Sequence, residues 1–207
     1  MNIILASGSP RRKRLLEQLN LDFEVQASNA SETYNPDLPP EEIVQNLALR
    51  KARQVAGEHR GSDQLVIGAD TIVVFGQSIL EKPATLREAE QMLRTLSGNT
   101  HQVLTGVALV KTSSPGNKQE ILTFFQSTDV VFGELDEIEI QQYVQSGLPM
   151  DKAGAYGIQD EGGSLFVKRI NGDYYNVVGF PLRLFYQKLK KFAPELLHPG
   201  LNIPHYD

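Results

Sequence analysis

Two long β-rich runs near the middle of the chain limit the folds open to it. Residues 100–111 and 120–131 are rich in β-branched and aromatic residues, and the segment 113–117 between them contains Ser, Pro, Gly and Asn. That composition is typical of a turn, so the runs predict a hairpin of long antiparallel strands. A sheet containing such a hairpin is not wholly parallel, which disfavours a doubly wound Rossmann domain.

Shorter strands and helices are predicted on both sides of this hairpin. Apolar runs predict strands at residues 2–6, 64–69, 71–75 and 165–170, and helical spacing of apolar residues predicts helices at 10–19, 40–58, 86–96, 136–146 and 181–192. We therefore expect an α/β fold with a mixed, elongated sheet flanked by helices. Residues 1–207 are taken as one domain. Its last part, 193–207, contains three prolines and is predicted to be a surface tail.

Composition excludes several classes of site and partner. The chain has no cysteine, which rules out disulfides, thiolate nucleophiles and cysteine-bound zinc. Its net charge of −5 disfavours nucleic acid as a partner, because such binding needs a basic surface. The apolar N-terminal run is too short for a membrane span or a signal-peptide core. We expect no membrane partner and a cytoplasmic location.

The sequence S-G-S-P-R-R at residues 7–12 is the first candidate binding element. Its small residues let the backbone approach a ligand closely, and Pro10 suits the first turn of a helix. Arg11 and Arg12 oppose the helix dipole at this end, and a bound anion would explain them. A solvated basic helix start explains the same residues equally well.

Two further candidates contain single charged residues. Asp70, in the sequence G-A-D-T at 68–71, is expected where an apolar strand ends, which suits a metal ligand or a general base. A turn or capping aspartate is the more common explanation. Lys82 precedes Pro83 and is therefore held extended, so that it could direct its ammonium at a phosphate. An ordinary surface lysine explains it more often.

The sequence D-K-A-G-A-Y-G-I-Q at 151–159 is compatible with a binding loop and with a structural loop. Glu32 lies in a polar segment and Lys51 within a predicted helix, and both are expected to be exposed to solvent by default. The histidines are too scattered for a metal motif. Any metal must then be held by oxygen ligands, which suits Mg²⁺ or Mn²⁺ together with substrate phosphates.

Taken together, these motifs resemble the Maf family of nucleoside triphosphate pyrophosphatases, also called septum formation inhibitor proteins. The segments 7–12, 68–71, 81–83 and 151–159, and G-F-P-L at 179–182, occur in the family's order over residues 1 to about 192. The resemblance implies a two-lobed fold of the inosine triphosphate pyrophosphatase (Maf/Ham1) type with a central cleft. It also implies hydrolysis of a nucleoside triphosphate to the monophosphate and pyrophosphate, with a divalent metal, and a role in removing modified nucleotides or in cell division arrest.

The resemblance assigns roles to individual residues. Asp70 matches the family's general base, and Arg12, Thr71 and Gln159 match the positions associated with base choice, in the combination typical of the dTTP and UTP branch. The triphosphate is expected to contact Ser7, Ser9, Arg11, Arg12, Lys51, Lys82 and Lys152. Of the two arginines, Arg11 is assigned to the phosphates and Arg12 to the choice of base. The metal is expected to bind Asp70 and Glu32.

A second hypothesis comes from another class of protein. The chain could be a nucleotide- or nucleic-acid-binding regulator of septum formation without significant turnover. Retention of Asp70 and Lys82 favours the enzyme, because a regulator does not need them. The partner expected in either case is a small nucleotide, and a homodimer is left open.

Overall fold

The computed structural model describes residues 1–59, 61–113 and 118–197. Most of the predicted turn at 113–117 and residues 198–207 of the predicted tail lie outside the described residues. The strands are β1 (Asn2–Leu5), β2 (Glu24–Val25), β3 (Gln64–Phe75), β4 (Ser78–Leu80), β5 (Thr100–Ser113), β6 (Lys118–Phe132) and β7 (Val167–Asn171). The α-helices are α1 (Pro10–Glu17), α2 (Pro40–Glu58), α3 (Leu86–Leu96), α4 (Glu137–Gln145), α5 (Tyr174–Val178) and α6 (Leu182–Phe192).

The strands form one sheet in the order β2-β1-β3-β5-β6-β7, with β4 paired to β3. The short strand β1 is parallel to both β2 and β3, because helices connect these strands. The long strands β5 and β6 are antiparallel throughout their pairing, from Thr100 opposite Val131 to Ser113 opposite Lys118. The predicted mixed sheet is therefore confirmed.

The strand β3 differs from its prediction in a way that shapes the site. Two strands were predicted, with Asp70 at the end of the first, and this is wrong because β5 pairs with β3 continuously from Gln64 to Val74. On the opposite edge of β3, β1 pairs only as far as Ile67 and β4 begins at Val73. Residues 68–72 thus have no neighbour on that edge among the described strands. The strand continues past Asp70, and it is the neighbouring strand that ends.

Helix α2 packs directly on the backbone of the sheet. A Cβ added at Gly68 of β3 would lie 2.2 Å from the carbonyl oxygen of Ala48 in α2. At Gly106, the residue of β5 opposite Asp70, an added Cβ would lie 2.3 Å from the backbone of Val44. The two glycines allow the helix to approach this closely, and the approach brings α2 against Asp70.

Replacing Gly68 with Ala should destabilise the fold by about 1–3 kcal/mol, the usual cost of overpacking a core. The nearest atoms belong to helix backbone, which cannot move aside as a side chain can. The control is Gly57→Ala in helix α2, where an added Cβ meets nothing within 4 Å. That variant should gain up to about 1 kcal/mol from helix propensity. Urea denaturation compares the two, and a fully stable Gly68→Ala would contradict the close packing.

The other face of the sheet is covered by two hydrophobic clusters. One joins α1 and α6 to the strands and includes Leu16, Phe180 and Phe185, all fully buried. The second joins α3 and α4 to the far end of the sheet. Ala193 is also fully buried, and Leu196 and Leu197 pack on the first cluster. Ala193, the first residue of the predicted surface tail, is therefore part of the core, whereas Pro194 and Glu195 are exposed as predicted.

His101, near the start of β5, is buried between two aromatic rings. Its ring centroid lies 5.0 Å from that of Phe132 and 5.3 Å from that of Tyr156, both edge to face. Its Nε2 lies 2.8 Å from the Tyr156 hydroxyl, and its Nδ1 has no partner in the part of the chain that the structure describes. Burial lowers the pKa of His101 to about 4, so the ring is neutral near pH 7.

Stability should therefore decline in acid. Between about pH 6.5 and pH 4 the unfolded chain binds a proton at His101 that the folded chain does not, so the free energy of unfolding falls as the pH falls. The loss across this window should be roughly 3 kcal/mol at 1.36 kcal/mol per pH unit. His101→Gln can keep a hydrogen bond to Tyr156 without titrating, and its unfolding should lack this contribution. Equal pH profiles for the two proteins would contradict the buried neutral imidazole.

No described helix is both long and apolar enough to cross a lipid bilayer.

Candidate active site

A cleft of ≈ 380 Å³ opens beside the unpaired edge of β3. Ten of the eleven predicted site residues line it: Ser7, Ser9, Arg11, Arg12, Glu32, Lys51, Thr71, Lys82, Lys152 and Gln159. Asp70 is the exception, because it lies behind Lys51 and is only 8% exposed. Segments far apart in the chain thus meet in one place, at a volume within the range of small-molecule sites.

The segment 7–12 forms the start of α1, as predicted. Ser9 caps the helix by accepting a hydrogen bond from the backbone N–H of Arg12 at 3.5 Å, and Pro10 is the first helical residue. The first turn has no acidic residue. Nothing in that turn therefore offsets the positive end of the helix or the two arginines.

Arg12 points inward and is held by three uncharged groups. Its Nε donates to the carbonyl oxygen of Gly179 at 3.0 Å, its Nη1 to Ser7 Oγ at 3.2 Å and its Nη2 to Thr71 Oγ1 at 3.0 Å. No described carboxylate forms an ion pair with it. Burial lowers the pKa of Arg12, and the charge of Asp70 partly offsets this effect. The guanidinium is thus a fixed positive group beside the cleft, without a direct counter-ion in the described part of the chain.

Arg11 and Lys82 provide cations nearer the rim. Arg11 lies 3.5 Å from a carboxylate oxygen of Asp151, which is itself 67% exposed. Lys82 is exposed and forms no ion pair with any residue in the described ranges. The assignment of Arg11 to the phosphates and Arg12 to base choice stays a prediction. The geometry adds that Arg11 has an acidic partner, whereas Arg12 has none among the residues that the structure describes.

Lys51 bridges the two carboxylates predicted to bind metal. Its Nζ lies 2.6 Å from Asp70 Oδ1 and 2.6 Å from Glu32 Oε1. The default expectation that Lys51 is exposed is wrong, because it follows Ala48 on the face of α2 that packs against the sheet. The Glu32 side chain, at 61% exposure, does face solvent. The hydrogen bond from Lys51 lowers the pKa of Glu32.

Asp70 and Thr71 point to opposite faces of β3, as successive residues of a strand must. Asp70 lies on the face covered by α2, where it meets Lys51. Thr71 lies on the other face, where it accepts from Arg12. The groups assigned to hydrolysis and to base choice are therefore separated by the strand itself.

Lys152 is buried, and its ammonium has three hydrogen-bond or ion-pair partners. Its ammonium donates to the carbonyl oxygen of Leu148 and to Asp151 Oδ1 at 2.6 Å, and lies 3.0 Å from Asp160 Oδ2. An ammonium has three N–H donors, and three partners surround this one. Although Lys152 lines the cleft, the structure leaves it no free donor for a phosphate. Gln159, in contrast, is exposed at the cleft.

The donor set suits a hard divalent cation bound together with a substrate. Glu32 and Asp70 supply carboxylate oxygens within reach of one lysine ammonium. No cluster of three or more His, Cys, Asp or Glu residues able to hold a metal occurs in the described ranges. Mg²⁺ commonly binds through one or two carboxylates and the phosphates of its substrate, and such a site needs no larger cluster.

Comparison with known proteins shows the family to which the chain belongs. A family model described as Maf-like protein matches residues 2–192. The chain belongs to the Maf-like protein family. A curated relative from Bacillus mycoides, named dTTP/UTP pyrophosphatase, is 50% identical over 196 residues, covering 95% of this chain and 98% of the relative. A relative of the same name from Bacillus cereus is 49% identical over the same shares.

A solved nucleoside-triphosphatase / dITP/XTP pyrophosphatase from Mycobacterium abscessus aligns with 97% of this Maf-like chain and 100% of its own. Its TM-score is 0.42 at 14% identity, which is too weak a likeness to support an argument.

Several residues of this Maf-like site had no signal in the sequence. Thr105 Oγ1 lies 2.9 Å from Thr71 Oγ1 and donates to the carbonyl oxygen of Asn176 at 3.2 Å. Polar contacts therefore connect Arg12 through two threonines to α5. The Tyr143 hydroxyl donates to Asp160 Oδ2 at 2.8 Å, next to the 151–159 loop. Each of these contacts joins residues that are separated in the sequence and come together only in the folded protein.

Proposed function

We propose that the protein hydrolyses the pyrimidine nucleoside triphosphates dTTP and UTP to the nucleoside monophosphate and pyrophosphate. The names of the curated relatives, at about half identity over nearly the full length, support the substrate class. The observation that supports the chemistry is the Asp70–Lys51–Glu32 bridge. It adjoins a cleft in which Arg12 forms no ion pair with any described carboxylate.

Phosphate binding is assigned to the start of α1 and to the nearby cations. The triphosphate lies along residues 7–12, where Ser7 and Ser9 offer hydroxyls and Arg11 offers charge-assisted donors. Lys82 neutralises the far end of the triphosphate. Lys152 supports the adjacent loop, since its donors are already bound.

Asp70 is the general base. Its carboxylate takes a proton from the water that attacks the α-phosphorus, and the bond from that phosphorus to the bridging oxygen breaks to release pyrophosphate. Lys51 holds Oδ1 of Asp70 in place and lies next to the charge that develops on the phosphates. Glu32 and Asp70 would bind Mg²⁺ or Mn²⁺, which, when present, supplies charge neutralisation to the phosphate oxygens.

Base choice is assigned to the other side of β3. The amide of Gln159 offers one acceptor and two donors, which complement the O4 and N3–H edge of thymine or uracil. A base with a different edge leaves this amide unpaired and binds less well. Arg12 Nη2 donates to Thr71 Oγ1 at 3.0 Å, and these two side chains line the part of the cleft assigned to the base.

The direct experiment is a nucleotide panel with Mg²⁺ or Mn²⁺, in which the products are identified. Pyrophosphate and monophosphate from dTTP and UTP are expected, at rates well above those for purine nucleotides. Release of orthophosphate would contradict the site of attack, and a preference for GTP would contradict the assignment of the base. Tight binding of nucleotide without any product would favour a regulator.

We also propose that the protein acts in the cytoplasm, where its nucleotide substrates are found, and that it forms a homodimer. The outer edge of β6 has no strand partner from Lys118 to Ser127 in the described part of the chain. Ile121 and Phe125, at 37% and 40% exposure, are placed symmetrically about Thr123. In an antiparallel pairing of two copies about that residue, each Ile121 lies opposite the other copy's Phe125.

Sedimentation equilibrium tests the dimer. Wild type should dimerise at micromolar concentration, and Phe125→Lys should be monomeric because each copy would place a charge in the contact. Ile138→Lys, at a 66% exposed position on α4, is the control and should remain dimeric. A monomeric wild type would end the proposal.

A further inference from the structure

Asp160 lies immediately after Gln159 and directs its carboxylate back beneath the 151–159 loop. Its side chain is 13% exposed, although both of its chain neighbours are exposed. The carboxylate oxygen Oδ2 lies 3.0 Å from Lys152 Nζ and accepts from the Tyr143 hydroxyl at 2.8 Å. A charged group this enclosed persists only when it is paired, and Asp160 has two partners.

Tyr143 connects this carboxylate to helix α4. Its hydroxyl donates to Asp160 and accepts the backbone N–H of Gly157 at 3.1 Å. Burial and the hydrogen bond to Asp160 raise the pKa of Tyr143, which keeps the hydroxyl protonated as a donor. One tyrosine therefore fixes the loop at Gly157 and at Asp160, the two positions on either side of Ile158 and Gln159.

The loop is packed tightly around the carboxylate. A Cβ added at Gly157 would lie 2.5 Å from Asp160 Oδ2 and 2.7 Å from Lys152 Cε. At Gly163 an added Cβ would lie 2.6 Å from the carbonyl oxygen of Gly157 and 2.9 Å from the Tyr143 hydroxyl. The glycines allow the chain to fold onto this cluster, so the loop has little room for another arrangement.

Lys152 depends on Asp160 more than on its other acidic neighbour. Asp151 is 67% exposed and also pairs with Arg11, whereas Asp160 is enclosed together with the ammonium. Removing the charge of Asp160 leaves Lys152, at 7% exposure, without its buried counter-ion. Lys152 would then turn toward the cleft or take another partner, and the loop would lose the contact that sets its shape.

We propose that Asp160 is a positioning residue for base recognition, which holds Gln159 at the cleft by pairing with Lys152 and Tyr143. This inference rests on the proposed function, because it assigns Gln159 to reading the base. Asp160 acts through its neighbour and does not itself contact the base. Its effect is therefore on discrimination between bases and on KM, and much less on kcat.

The test compares Asp160→Asn with Glu161→Gln, a change of the same kind at the exposed next residue. We measure kcat and KM for UTP and CTP, which differ at the edge that Gln159 would read. Asp160→Asn should lower the UTP:CTP ratio of kcat/KM by about tenfold, the size of one lost hydrogen bond. Most of that change should be in KM, and Glu161→Gln should match wild type.

Tyr143→Phe removes the other partner of the Asp160 carboxylate, the Tyr143 hydroxyl. It should shift the ratio in the same direction, and the double variant Tyr143→Phe/Asp160→Asn should lose less than the sum of the single changes. Thermal unfolding of each variant establishes that it is folded. A ratio unchanged in a folded Asp160→Asn, or equally lowered in Glu161→Gln, would overturn the proposal.

Equilibrium binding separates this inference from the proposed function. Dissociation constants for α,β-imido analogues of UTP and CTP report base discrimination without turnover. If wild type discriminates between the analogues but does not hydrolyse the nucleotides, the hydrolytic function fails and Asp160 is still tested. If wild type binds both analogues equally, Asp160 has no discrimination to support and the inference fails.

Discussion

Replacing Asp70 with Asn should lower kcat for dTTP and UTP hydrolysis by about 10²- to 10⁴-fold, the range expected when a general base is lost. Asn has nearly the same shape and can still accept from Lys51, so the packing of α2 on β3 should persist. It cannot take a proton from water. Pyrophosphate release under saturating nucleotide and metal measures the effect on kcat directly.

The position of Asp70 behind Lys51 makes the distinction between kcat and KM important. If Asp70 served only to hold Lys51, its replacement would weaken nucleotide binding and change kcat little. Asp22→Asn, at an exposed position, is the control for loss of one acidic charge and should behave as wild type. A kcat near normal in Asp70→Asn would mean that another group is the base.

Replacing Lys51 with Met should lower the free energy of unfolding by about 3 kcal/mol, because it leaves the Asp70 carboxylate buried without its cation. Lys51 and Asp70 side chains are each 11% exposed, so solvent can replace little of the lost interaction. Activity should fall too, since Met cannot neutralise phosphate charge. Urea denaturation at pH 7 measures the change in stability.

A second substitution makes this prediction specific. In Lys51→Met/Asp70→Asn the buried charge is gone, and most of the lost stability should return. Lys111→Met, which breaks the more exposed ion pair with Glu195, is the comparison and should cost less than about 1 kcal/mol. If the double variant is no more stable than Lys51→Met, the loss comes from packing of the lysine stem and not from the unpaired carboxylate.

Local chemistry predicted the parts of the site that depend on neighbouring residues. The start of α1 follows from the Ser, Pro and Arg residues in order, and the structure has Ser9 as the cap and Pro10 as the first helical residue. The antiparallel β5–β6 pairing follows from two long β-rich runs on either side of the predicted turn. Both depend on interactions within a short stretch, for which composition and spacing are sufficient.

Residues whose surroundings come from distant segments could not be placed in this way. Lys51 was expected to be exposed, because nothing near it in the chain indicates that α2 packs closely on the sheet at Gly68 of β3 and Gly106 of β5. Asp70 was expected at a strand end, because the apolar run changes there. The run in fact continues, and the gap lies in the pairing with β1 and β4. Such features depend on tertiary contacts and follow only from the folded sheet.

The alternation of side chains along β3 has a consequence for how enzymes of this kind can diversify. Under the proposed assignment of roles, substitutions around Thr71 would alter the nucleobase accepted while Asp70, on the reverse side and assigned to hydrolysis, stays as it is. A single-residue insertion or deletion between Ile67 and Asp70 has a different outcome, because it would exchange the two sides and present each group to the wrong partners. Under that assignment, side chains on the Thr71 side can be replaced without moving Asp70, whereas a change in the length of this segment would displace both groups.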